Sequence, residues 1–297
     1  MSTARATFDG AGLQPAAPPR TERPHYLRVL ATFARNSLIR DMTFRANFLM
    51  ETATSLGWLA MNLTFYAVVF HYTPMLGAGT GWGKDEFFLF LATTYLINGL
   101  VQLLFMTNAD EFSEMIRTGS LDFALLKPID TQFLVSFQRI EWSSLTNVVF
   151  AGVLAAYALG RLGQVPSPVS CGLYLLYVAC GVAIFYSLMM SLASASVWLG
   201  RNQALYDFWF YLSNFARYPR EIFQGRLGSP LRWLFTFVVP VLVVVNVPAR
   251  FLVGTLAPRS LRDWMLPLFT LGITAAGLCL SRWLFSRALA SYRSASS

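Results

Sequence analysis

Stretches of about twenty apolar residues recur along the chain, and arginines stand at their ends. This pattern constrains the fold more than any other feature. In hydrocarbon each backbone N–H and C=O must be satisfied within its own segment, so such stretches fold as helices. They lie near residues 46–72 and 87–107, within 131–159 (core 142–159), and near 169–199, 201–218 and 264–285. The chain has 297 residues, 55% hydrophobic and 13% charged, where a soluble domain carries roughly 25% charged residues. Its mean hydropathy is +0.49. The expected fold class is all-α, a polytopic membrane helical bundle of six transmembrane helices. Disordered, collagen-like and ordinary cytosolic chains are excluded.

The net charge of +8 comes from 23 basic residues against 15 acidic ones. Nucleic-acid binders cluster such charge beside exposed aromatics. Here the basic residues flank apolar stretches instead, as membrane topology requires, so no nucleic-acid partner is expected. Seven arginines (5, 20, 23, 28, 35, 40 and 45) precede the first span, and the loop at 73–83 has none. The positive-inside rule then puts the N-terminus in the cytoplasm and that glycine-rich loop outside. Both termini are expected inside.

Residues 1–24 are polar, rich in Ala, Pro and Arg, and read as a disordered cytoplasmic tail. Residues 25–45 change character. Leu27, Leu30, Phe33, Leu38 and Ile39 recur at helical spacing with Arg28, Arg35 and Arg40 between them, the pattern of a basic amphipathic helix in the membrane interface. Between the second and third spans, residues 108–130 form a polar stretch that the alternation places in the cytoplasm. There Phe112, Met115 and Ile116 make an apolar stripe opposite Glu111, Glu114 and Arg117. Gly119 can stop that helix. A second short turn, 121–126, ends before Pro128. A connector needs no such helix pair.

Residues 219–262 admit two readings. The run 231–254 is apolar enough to cross, and crossing would keep Arg217, Arg220, Arg226 and Arg232 inside. It also holds Pro240, Asn246 and Pro248, and irregular backbone at membrane depth is allowed where protein buries it. Charge alone favours crossing.

No catalytic constellation appears. The two histidines, His25 and His71, lack carboxylates at metal-ligand spacing, and no GxSxG elbow is present. Cys171, Cys180 and Cys279 lie singly in apolar stretches. The run 77–84 resembles a phosphate loop only in its glycines. GxxxxGK[ST] needs Gly six before the Lys and Ser/Thr after it, and Ala78 and Asp85 stand there. The chain carries no nucleotide site and is not expected to be an enzyme. Among polar residues within spans, Asn62, Asn98 and Gln102 are candidate path-lining groups. Asn98 and Gln102, four apart, share a helix face. Interhelical hydrogen bonding is the alternative role. Small residues four apart (Gly152, Ala156, Gly160; Ser187, Ser191, Ala195; Gly272, Ala276) suit close helix packing.

The run from Glu114 to Pro128, EMIRTGSLDFALLKP, resembles the IRxGxLDxxLLxP signature of ABC-2 type permeases. Phe44-Arg-Ala-Asn-Phe48 is similar to that family's YRANF entry. Tyr218-Pro-Arg-Glu-Ile-Phe223, then Leu234-Phe-Thr-Phe-Val-Val-Pro240 and Pro248-Ala249, are similar to its YPxxIY…LTFxxP…P segment. The likeness covers residues 25–293 and is closest to a branch of uncharacterised six-span ABC-2 permeases. It implies a transmembrane domain over 46–293 in the permease subunit of an ATP-binding cassette transporter, an exporter in a bacterial cytoplasmic membrane. This chain would bind no cofactor; ATP and Mg would be used by a separate dimeric ATPase. The loop 108–130 would be the coupling helix. Phe112, Met115 and Ile116 would fill a groove on the ATPase, Glu111, Glu114 and Arg117 would make rim contacts, and Gly119 and Pro128 would fix the turns. Asp122 and Lys127 belong to the same signature. The likeness also implies that 219–262 re-enters from outside, reversing the preference from charge. A second permease, forming a heterodimer, would complete the pathway, with lipids around it. A stand-alone carrier or channel is the alternative function, and a membrane-embedded enzyme or scaffold the third.

Overall fold

The computed structural model describes residues 25–77, 80–163, 165–199, 210–212, 214–253 and 261–292. The expected N-terminal tail lies outside them, as does most of the expected fifth span. Of that span, residues 210–212 and 214–216 are described and helical. No strand occurs among the described residues. The fold is the all-α polytopic bundle that the apolar stretches demand.

Helix α1 (Tyr26–Thr43) leads into α2 (Arg45–Tyr72). Helix α3 (Lys84–Val101) runs through a π-helical turn (Gln102–Met106) into α4 (Thr107–Thr118). The short helices α5 (Leu121–Leu125) and α6 (Thr131–Phe137) follow, then a 3-10 turn (Trp142–Ser144) entering α7 (Leu145–Leu162) and the long α8 (Pro168–Leu199). After residues 210–216 come α9 (Gly225–Trp233) with a π-helical turn (Leu234–Val238), α10 (Val241–Val253) and α11 (Leu261–Ser291). Among the described residues, five helices are long and apolar enough to cross a membrane, and the segments on either side of Pro240 form one further bent pair.

Burial is unequal. In the continuous helix Lys84–Thr118, 61% of the apolar window is buried, against 11% in α2, 17% in Trp142–Leu162 and 22% in the last helix. Helices α3 and α8 therefore form the centre, with α10 wedged against both. Every residue of α10 except Arg250 is buried. Two glycines permit this packing. A Cβ on Gly181 of α8 would lie 2.9 Å from the Val244 carbonyl oxygen, and one on Gly99 of α3 would lie 3.1 Å from Val148 Cγ2 of α7. Pro248 has no N–H for the Val244 carbonyl, so α8 approaches α10 where its own hydrogen bonding is incomplete. The small-residue stripe on α7 behaves differently. Gly152, Ala156 and Gly160 are exposed, and a Cβ on either glycine would meet nothing within 4 Å.

The segment from residue 222 to 250 begins and ends at the same end of the bundle. Glu221, before it, accepts hydrogen bonds from Trp82 Nε1 (2.9 Å), ahead of α3, and from Arg250 Nη2 (2.5 Å), near the end of α10. Between these points the chain descends and turns at Pro240 through 86°. It climbs again past Val244, beside Gly181 and Ile97, and Phe251, whose ring stacks on Tyr177 at 5.1 Å. An 86° bend of this kind suits either a broken span or a re-entrant loop. Of the arginines that favoured crossing, Arg217 lines a cavity and Arg220 pairs with Glu221, while Arg226 is exposed.

Candidate functional site

At the opposite end of the bundle, Gly119 closes α4 in the left-handed conformation (φ 75°), which a residue without Cβ adopts freely. Helix α5 then folds back, and Asp130 caps α6 by accepting from the Phe133 N–H at 2.9 Å. Asp130 also pairs with Arg282 of α11 at 2.7 Å, and Arg282 donates to Gln132 Oε1 at 2.9 Å. The guanidinium of Arg282 holds the Asp130 carboxyl below its ordinary pKa, with help from the Phe133 N–H. The loop is thereby fastened to the last membrane helix.

A second set of bonds fastens it to α1. Ser37 Oγ accepts from the Ile140 N–H (3.0 Å), the Ala34 carbonyl from Trp142 Nε1 (3.1 Å), and the Tyr26 ring packs edge-on against Phe133. Asn108 clasps the backbone of Arg139 on both sides, at 2.7 and 2.9 Å. Helix α1, the loop and the C-terminal part of α11 thus share one end.

The residues expected to meet a partner divide into two groups. Phe112 is fully buried, with its ring 5.3 Å from Phe285 of α11. Glu111 pairs with Arg139 and accepts from Gln138 Nε2 at 3.1 Å. In this structure Phe112 packs inside the chain, and half-buried Glu111 is paired within it. The helix turns them toward α6 and α11, where packing and a cation await. Met115 and Ile116 are half-buried, and Glu114 and Arg117 pair with each other on the exposed surface. Lys127 and Pro128 are exposed, Asp122 half-buried. Apolar side chains absent from the expected set stand out here: Phe123 is 73% exposed, Leu126 82%, and Leu125 is exposed beside them. Their signal was the apolar run LDFALL within a polar loop.

A second site lies at mid-depth. Asn98 and Gln102 line a cavity of about 380 Å³ between α2, α3 and α7. Asn62 does not. Its amide folds back onto the Trp58 carbonyl at 2.8 Å, the local bond open to a polar side chain on a lipid-facing helix. Asn147 of α7 joins the lining and donates to Gln102 Oε1 at 3.4 Å. Tyr95 and Arg217 also line the cavity, and sequence patterning had pointed to neither. The π-helical turn begins at Gln102; such turns are frequent at functional sites. Asp207, in the expected fifth span, lies outside the described residues.

Fold and site together define a polytopic α-helical membrane protein with a helical loop fastened to one end and a polar cavity at mid-depth. A family model described as ABC-2 family transporter protein matches residues 56–296, and the chain belongs to that family, one of transporters rather than enzymes. No curated protein and no solved structure matches.

Proposed function

We propose that this chain is the permease subunit of an ATP-driven exporter, moved by a separate dimeric ATPase that docks on the loop 108–130 and holds the ATP and Mg. The observation that carries this reading is the loop itself. It presents Phe123, Leu125 and Leu126 to solvent at the end of the bundle, and the Asp130–Arg282 and Glu111–Arg139 pairs fasten it to α11 and to the segment entering α7. Exposed apolar side chains on a helical projection mark a protein contact. A push on α5 would reach the spans through those pairs. The docking set is therefore Met115, Ile116, Phe123, Leu125 and Leu126, with Glu114, Arg117, Asp122 and Lys127 around them.

The unburied faces of α2 and α7 support pairing with a second permease, a heterodimer partner in our reading, with lipid covering what remains. The seven arginines ahead of the first span support a cytoplasmic N-terminus in a bacterial inner membrane. Helix α1, the loop and the last turn of α11 share its side. The substrate path runs along α2 and α3 past the mid-depth cavity.

Affinity capture of the tagged full chain from its native membrane tests this. An ATP-binding cassette subunit co-purifies, and Phe123→Asp with Leu126→Asp reduces its yield at least about tenfold, the loss of roughly 1.4 kcal/mol of binding. Undiminished capture by the double variant moves the dock elsewhere. Transport by the purified chain alone, with no ATPase present, overturns the reading.

A further inference from the structure

Among its described lining residues the mid-depth cavity is one-sided in charge. Among the described residues lining it there is a cation, Arg217, together with amides and hydroxyls, and no Asp or Glu. An arginine at membrane depth is expensive unless something anionic or dipolar faces it. Its planar fork suits carboxylate and phosphate. Asn98 Oδ1, on the same lining, is buried with no hydrogen-bond partner among the described residues. Buried acceptors are normally paired, so this one is poised for a donor. Leu59, Leu91 and Trp58 supply an apolar part of the lining, and Trp58 is 55% exposed on the open face of α2. Cavities of roughly 300–1,000 Å³ hold small ligands. At about 380 Å³ this one holds a head group and not a chain.

We propose that the cavity binds an anionic amphiphile. Its charge sits at Arg217, a hydroxyl or N–H beside the charge donates to Asn98, and its apolar body leaves past Trp58 over the exposed face of α2. The proposal rests on reading the cavity as part of the transport path and names the class of molecule that path accepts.

The test uses the full-length chain in a neutral detergent without any ATPase. Bound lipid is counted by native mass spectrometry during titration with phosphatidylglycerol, phosphatidic acid or phosphatidylcholine of identical acyl chains. Phosphatidylglycerol, which carries both the anion and hydroxyls, binds at least about tenfold more tightly than phosphatidylcholine. Arg217→Gln abolishes that preference, and Arg217→Lys, which keeps the charge, retains part of it. Arg35→Gln, on α1, leaves it intact. Asn98→Ala removes the preference for phosphatidylglycerol over phosphatidic acid while sparing the preference over phosphatidylcholine. Unchanged selectivity in Arg217→Gln overturns the proposal. Equal binding of free glycerol phosphate assigns the site to a soluble anion and overturns the amphiphile. Because the ATPase is absent, a negative result leaves the capture experiment untouched, and failed capture leaves this binding measurement untouched.

Discussion

Replacing Glu221 by alanine removes the clasp that holds both ends of the bent segment 222–250 together. The carboxylate accepts from Trp82 Nε1 at 2.9 Å and Arg250 Nη2 at 2.5 Å; the Asn246 amide, at 3.5 Å, is too distant to weigh. Breaking a buried ion pair by deleting one partner costs about 3–5 kcal/mol, because the other charge stays behind. Here the side chains are 16% and 29% exposed, so water reaches part of the pair. We therefore expect a loss near the lower end, about 3 kcal/mol. Glu221→Gln keeps an acceptor for Trp82 and loses only the charge, so about half that loss is expected. The assay is unfolding of the full chain in mixed micelles with rising dodecyl sulfate, followed by circular dichroism. Arg250→Ala added to Glu221→Ala should cost little further, with a coupling of about 1–3 kcal/mol across the double-mutant cycle. A loss below about 0.5 kcal/mol for Glu221→Ala, or strict additivity with Arg250→Ala, would show that the two ends do not meet at Glu221.

Two other outcomes follow from the loop end. Phe112→Ala should destabilise the chain by about 3–5 kcal/mol, the range for deleting a buried ring, because it empties the space against Phe285; dodecyl sulfate unfolding no different from wild type would refute that packing. Glu141 is pushed above the ordinary carboxylate range by burial, against the opposing hydrogen bond from Thr107 (2.8 Å). A raised carboxyl pKa means that the folded state binds the proton more tightly than the unfolded one, so stability declines as pH rises above the unfolded value, about 4.3. Glu141→Gln, which keeps the acceptor for Thr107, should therefore be more stable than the parent at pH 7. The advantage should vanish as the pH falls toward 4, and stability measured across that range would reveal an advantage that persists in acid.

Neighbouring residues differ in how much the sequence disclosed. Gly119 was legible as a helix stop because a local conformational need selects glycine whatever surrounds it. Asn98 and Gln102 were legible as a pair because their spacing puts them on one face of any helix. Phe112 and Phe123 were not separable in the same way. Both are aromatic residues in one amphipathic loop, yet the first packs on Phe285 and the second faces solvent. Only the position of α11, which arrives from more than 150 residues further along, distinguishes them. Asn62 and Asn98 show the same limit: one bends back onto its own helix and the other lines a cavity.

By itself the sequence determined the class of fold, the number of apolar segments and the loop worth examining. These follow from hydropathy and local backbone chemistry, which act over one or two helical turns. The tertiary structure alone decided that the two ends of residues 222–250 meet at Glu221, that Arg217 lines a cavity where sequence reading saw a topological marker, and which face of the 108–130 loop is free. Each of those outcomes is set by what lies opposite a side chain: Trp82 and Arg250 opposite Glu221, α2 and α3 opposite Arg217, Phe285 opposite Phe112. Charge and periodicity state that a group needs a partner, and only the packed bundle supplies which one.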